Sequence, residues 1–235
     1  PEYGVAFMAD NPFPVENEII YCLRALQIFN SFDGDRIGRT DAFVNATRNA
    51  STFSLFLDAV QCLNLESALN LLSKQTFQVL QINPLKERQN LRFSTQFRSY
   101  FYILPHLDGH LLEKINQELL SLKGTHNFQY FSTCNEPAIR TIYSIELEPC
   151  KLFDQPKTIL KISGQAFARS QVRGIAGSVL EMAAEKIKSF EEIKSGKVKV
   201  KIAPAEALFL CDYGEKFEEW RLVVGNGDER LGVVI

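Results

Sequence analysis

Three stretches of the sequence place reactive side-chain types at spacings that can support chemistry. In RIGRTDAFVNA, residues 36–46, Asp41 follows Arg39 by two positions, so a guanidinium is at hand to hold the carboxylate ionised and fix its direction. The same acid follows Thr40 in a Gly-containing segment, where Asp commonly serves as a turn or cap residue, and the local pattern leaves both roles open. In RFSTQFRSYFYIL, residues 92–104, strand alternation sends Arg98 and Tyr100 to one face. In QAFARSQVRGIAGSVLEMAAEKI, residues 165–187, Arg169 and Arg173 share one flank of a helix. Ser170, Gly174 and Gly177 form a small-residue strip beside them that lets a backbone or a ligand come close.

These groups need elements to hold them. Residues 15–30 repeat apolar positions at helical spacing, and a second helix fits residues 64–74 with Asn64 as its cap. Residues 76–82 read as a strand. Over residues 92–104 alternation puts Phe93, Phe97, Phe101 and Ile103 on a packed face and Arg92, Gln96, Arg98, Tyr100 and Tyr102 on a face toward a cleft or solvent. A helix over residues 109–124, with Gly124 as its C-cap, leads into a turn at residues 125–128. Strands fit 139–148, 158–163, 197–202 and 207–213, and helices fit 165–187 and 189–195. Val172, Ile175, Val179 and Met182 line the apolar face of the longer helix. Helices and strands alternate irregularly without a repeat, which predicts an α+β fold.

Composition narrows the function. The 235 residues are 46% hydrophobic and 11% aromatic, enough to fill a core, and no apolar run reaches the ~20 residues a membrane span needs. The formal net charge is −2, so there is no global basic field, and any nucleic-acid partner must meet a local patch. Five widely spaced cysteines without C-x-x-C argue against a disulfide framework and a zinc site, and the three histidines form no metal motif. No metal and no cofactor are expected. The expected setting is intracellular and reducing, with no choice among mitochondrion, nucleus and cytoplasm. Because the sequence opens at Pro1, its start does not report location.

Several segments, in order, resemble the A-type tRNA pseudouridine synthases, especially the eukaryotic branch. GRTDAFVNA resembles the family's catalytic loop, G-R-T-D-A-G-V-H-A or R-T-D-K-G-V-S-A, and RFSTQFRSYFYILP resembles its R-F-x-A-x-x-R-x-Y-x-Y strand. GTHNF is similar to the eukaryotic turn of the same sequence. ISGQAFARSQVRGIAGSVLEMA resembles the K-G-x-x-F-x-x-x-x-(V/I)-R-x-(I/M)-(V/I)-G helix, and APAEALFLCDY the closing A-P-x-x-x-L-x-L strand.

The resemblance implies the pseudouridine synthase fold, two ferredoxin-like α+β halves sharing a mostly antiparallel sheet with a central cleft. Residues 1–104 would form the half with the aspartate loop and residues 105–235 the other half. It implies an isomerase that converts uridine to pseudouridine, with tRNA the first expectation and rRNA the second, and with a homodimer or ribonucleoprotein partners possible. The catalytic group would be Asp41, Tyr100 and Arg173; Arg39, Arg98, Leu208, Arg36 and Arg92 would bind substrate, with Arg48 adding a phosphate contact. The reaction breaks the bond from ribose to the base nitrogen, turns the base and rejoins it through carbon, so an ionised carboxylate is wanted as nucleophile or cation stabiliser. A tyrosine ring can pack on the detached base and its hydroxyl can help remove the carbon-bound proton, once the base has been flipped from its stack. One position departs from the pattern: Phe43 stands where the family loop carries glycine. A competing expectation is therefore a catalytically inactive relative retained as an RNA-binding or ribosome-assembly subunit.

Overall fold

The computed structural model describes residues 15–56, 59–73, 77–85, 91–214 and 229–234. Its elements divide into two units, the described residues up to Gln96 together with those from Asp212 on, and Phe97–Cys211.

In the first unit, acidic Glu16 and Glu18 in the first turn and Arg24 in the last suit the dipole of α1 (Val15–Ala25). The helix buries Ile19, Cys22 and Leu23 completely. They pack with Phe53 and Leu55 of strand β3 (Ala50–Leu55) and with Leu65 and Leu69 of α2 (Ala59–Leu72). Strand β1 (Phe29–Arg36) runs antiparallel to β3, and the two-residue β2 (Asn45–Ala46) lies between them in sequence. With β4 (Gln81–Leu85) and, from the far end of the chain, β10 (Glu229–Val234), the sheet order is β1-β3-β10-β4. A short helix, α3 (Leu91–Ser94), completes the unit.

Two expectations fail here for local reasons. Helix α2 starts at Ala59, so Asn64 lies inside it as an exposed residue, because the preceding Ala, Gln and Leu are good helix formers that extend it. The strand expected over 76–82 begins only at Gln81. Asn70 on α2 accepts from the Val79 N–H at 2.6 Å and donates to the Val79 carbonyl at 3.0 Å, which removes both groups from any ladder.

In the second unit the sheet order is β9-β5-β8-β7-β6, from strands β5 (Arg98–Pro105), β6 (Gly124–Asn127), β7 (Ile139–Leu152), β8 (Gln155–Gly164) and β9 (Leu208–Tyr213). β5–β8, β7–β8 and β6–β7 are antiparallel. Helices α4 (Gly109–Leu120), α5 (Gln171–Ala183) and α6 (Phe190–Lys194) accompany it. Asp108 caps α4 by accepting from the Leu111 N–H at 2.9 Å. Asn116 then ties α4 to β7 through both backbone groups of Leu147, at 2.7 and 2.9 Å. Ile175, Val179 and Met182 of α5 are buried as the periodicity predicts, and Phe128, Phe131 and Phe190 join edge to face in the core. The fold is α+β with mostly antiparallel strands.

The two units part between Gln96 and Phe97, just ahead of β5, and again between Cys211 and Asp212. Gly124 is not a C-cap: Ser121 closes α4, and Gly124, at φ +98, opens β6 where a turn was expected. Residues 197–202 form no strand; their lysines alternate with buried or half-buried Val198, Val200 and Ile202 without ladder pairing. No described helix is long and apolar enough to cross a membrane.

Candidate active site

The Asp41 segment is a tight turn with buried shoulders. The Val44 N–H donates to the Asp41 carbonyl at 3.2 Å, closing a four-residue turn in which Phe43 is third and has φ +66. Ala42 keeps negative φ, the pattern of a type II turn, whose third position calls for glycine. Thr40 and Val44 are buried on either side, Asp41 is half-buried, and Arg39 and Phe43 are exposed. Below the turn, Ile37 N–H donates to Ala50 at 3.1 Å and buried Asn49 donates to the Gly38 carbonyl at 3.1 Å.

Two arginines near this turn are engaged within their own unit. Arg36 places Nε 3.0 Å from Oε1 of Glu16, a carboxylate with 1% exposure that also accepts from the Ser51 hydroxyl at 3.1 Å. The Arg36 side chain is only 15% exposed, and its charge offsets a buried glutamate. Arg48 lies 3.6 Å from Asp212 and over the Tyr213 ring at 5.0 Å. Arg92 lies on α3, and its side chain is outside the described ones.

In the second unit, alternation along β5 is real but its buried face is the opposite of the one expected. Arg98, Tyr100, Tyr102 and Leu104 are buried, Phe97, Phe101 and Ile103 are half-buried, and Phe93, on α3 rather than on the strand, is 80% exposed. Helix α5 packs against β5, and Arg98 and Tyr102 find backbone acceptors, which offsets part of the cost of burying them. Arg98 donates to the Gln165 carbonyl at 3.0 Å, in the loop that leads to α5. Tyr100 meets Phe167 of that loop edge to face at 5.3 Å. Phe167 was not singled out from sequence, although it stands at the phenylalanine of the quoted helix motif. On the other face Phe101 stacks on Phe209 at 4.6 Å.

Arg173, on α5, donates from Nε to the Ala203 carbonyl at 2.8 Å, and the Ala203 N–H returns a bond to the Arg173 carbonyl at 3.1 Å. Next to it, Tyr102 donates to the Pro204 carbonyl at 3.0 Å. Burial pushes the Tyr102 phenol above 10.0; the Arg173 charge works against that rise and Glu206 adds to it. Leu208 is buried at the head of β9, with its N–H on the Ala205 carbonyl at 3.0 Å. The structure thus joins Arg98, Tyr100, Arg173 and Leu208 around β5 and α5 of one unit, while Asp41, Arg39 and Arg36 belong to the other. Among the described residues no three His, Cys, Asp or Glu gather as a metal site would require.

Residues 119–214 match the family model described as tRNA pseudouridine synthase. The tRNA pseudouridine synthase A of Borreliella burgdorferi strain ZS7 is 31% identical over 197 residues, covering 74% of this chain and 78% of that protein. The chain belongs to the tRNA pseudouridine synthase A family. The Thermosipho melanesiensis family member is 28% identical over 194 residues with the same coverage, and that of Mycoplasmoides gallisepticum 28% over 199 residues, 74% and 72% of the two chains. The matched segment takes in Arg173 and Leu208 of the pseudouridine synthase candidates; Asp41, Arg98 and Tyr100 precede it.

Proposed function

We propose that the chain isomerises uridine to pseudouridine in tRNA, with Asp41 as the reacting carboxylate. The observation that carries this reading is the pairing of family membership with an intact R-T-D-A loop, in which half-buried Asp41 is fixed by its own turn and by buried Thr40 and Val44. Arg39, exposed and two residues away, supplies a positive charge to the same loop. Tyr100 is the aromatic partner for the detached base, Leu208 an apolar wall beside it, and Arg173 the arginine at the position of the family's helix motif. Arg98 acts at one remove: its bond to Gln165 fixes the loop that carries Phe167, and Phe167 sets the tilt of Tyr100. In the reaction the bond from ribose C1′ to base N1 breaks, a bond from C1′ to C5 forms, the C5 proton leaves to solvent and N1 takes up a proton, so the product is an isomer of the substrate.

One observation favours a second reading. Phe43 holds a backbone conformation suited to glycine at the heart of the loop, as a relative retained for RNA binding alone would tolerate. Tritium release from tRNA carrying [5-³H]uridine separates the readings. Wild type is expected to release tritium, and Asp41→Asn to lose that by orders of magnitude while tRNA affinity, read by fluorescence anisotropy, stays within about twofold. Wild-type protein that binds tRNA yet releases nothing from any cellular tRNA pool leaves the binding-subunit reading in place.

A further inference from the structure

With Arg36 on Glu16, Arg48 on Asp212 and Arg98 on Gln165, three of the arginines that sequence offered for phosphates make contacts within the protein. A chain of net charge −2 that takes up RNA needs a local positive surface elsewhere. The segment from Gly196 to Pro204 supplies one. Lys197, Lys199 and Lys201 are all exposed, while Val198, Val200 and Ile202 between them are half-buried or buried, so the lysines leave the chain on one side. The chain bends at Lys197 and Val198 and runs on without regular structure from Lys199 to Pro204, so the row follows a bent course. No acidic residue occurs between Glu192 and Glu206, and among the described residues none of the three lysines is in an ion pair. Two other lysines of the unit are offset by carboxylates, Lys161 by Glu148 and Lys194 by Glu191 at 3.3 Å.

The row is also held rigidly although it has no strand partner. At its start the Tyr130 ring packs on Gly196, whose φ of +73 makes the turn out of α6. At its end the Lys201 carbonyl fits against Gly177 of α5, so closely that a Cβ there would stand 1.8 Å from the oxygen. Two residues on, Ala203 exchanges hydrogen bonds with Arg173. The row therefore leads, without slack, into the segment that carries Leu208.

We infer that Lys197, Lys199 and Lys201 form a phosphate-binding row that seats the RNA backbone next to the Ala203–Leu208 segment. This rests on the proposed tRNA activity only for the identity of the RNA. The test replaces all three by Gln in the full chain and compares a control triple, Lys114→Gln, Lys123→Gln and Lys151→Gln, which removes the same charge from exposed positions elsewhere in the unit. Anisotropy titrations of a tRNA transcript across a salt series give the affinity and its slope against log salt. The row variant is expected to bind at least tenfold more weakly near physiological salt, with the slope reduced by about 2 to 3, as three lost phosphate contacts require. Its thermal midpoint should match wild type. Equal affinity and slope in wild type and row variant would overturn the inference, as would an equal loss in the control triple. So would row-dependent binding to phosphatidylserine vesicles with tRNA binding unchanged. Should wild type release no tritium while the row variant still loses tRNA binding, the catalytic proposal fails and the row stands.

Discussion

The Tyr102 hydroxyl donates to the Pro204 carbonyl at 3.0 Å, one residue beyond the carbonyl that Arg173 holds at 2.8 Å. Two successive carbonyls are thus pinned from two elements, β5 and α5, and Arg173 is aimed as a consequence. Tyr102→Phe keeps the ring and removes the donor, leaving a carbonyl unpaired at a cost of about 1 to 2 kcal/mol. Tritium release at saturating tRNA should fall several-fold while tRNA affinity holds, because Arg173 loses its fixed neighbour. The phenol's raised pKa adds a pH signature. A group whose folded value exceeds its unfolded value contributes stability that is whole below 10.0 and is lost as pH rises through the folded value. The stability gap between wild type and Tyr102→Phe should accordingly narrow above pH 10.0, as read by denaturant melts across an alkaline series.

The Glu16–Arg36 pair supports the aspartate turn from below, since Arg36 is the last residue of β1 and Ile37 immediately follows. Glu16→Gln removes the carboxylate that lies 3.0 Å from Arg36 and should cost up to about 3 kcal/mol. Replacing both partners, Glu16→Gln with Arg36→Met, should cost clearly less than Glu16→Gln alone. Urea unfolding of the two variants checks this, and equal losses would show that the pairing carries no coupling.

Much of this was legible in sequence. Helical spacing located α1, α4 and α5, and the buried face of α5 is the one its periodicity gives, because apolar period is what burial selects. Asp41 was open between turn and chemistry; the structure makes it the first residue of a turn, and that role does not exclude the other. The faces of β5 run against the expectation from sequence, because Arg and Tyr look like solvent-facing residues beside four aromatic or aliphatic neighbours. Their burial depends on carbonyls at Gln165 and Pro204, which lie more than sixty residues away and leave no local trace. The strand expected at residues 197–202 shows the converse. Its alternation is genuine, but the face it rests on is α5 with its glycine notch rather than a neighbouring strand.

That notch makes a sharp prediction. Gly177→Ala puts a methyl 1.8 Å from the Lys201 carbonyl oxygen and 3.0 Å from its carbon, both backbone atoms that cannot swing aside. The helix must separate from residues 201–203, so a loss of about 3 kcal/mol is expected. Gly109→Ala, at a position with nothing within 4 Å, should be neutral or mildly favourable by the same thermal melt.

Phe43 is the position where loop geometry and residue type disagree. A side chain in the left-handed region costs about 1 to 2 kcal/mol, and the ring recovers little of this by burial because it is 44% exposed. Glycine removes that strain but widens the unfolded ensemble by about 0.5 to 1 kcal/mol. Phe43→Gly should therefore be neutral to about 1 kcal/mol stabilising, and Phe43→Asn, which tolerates the conformation with less backbone freedom, at least as favourable. If the ring is a tolerated replacement in a working catalytic loop, tritium release should hold or rise in both variants, since the turn that presents Asp41 relaxes toward its unstrained form. Variants that melt higher yet lose turnover would show instead that the exposed ring touches the RNA, and that the strain at Phe43 is kept for that contact.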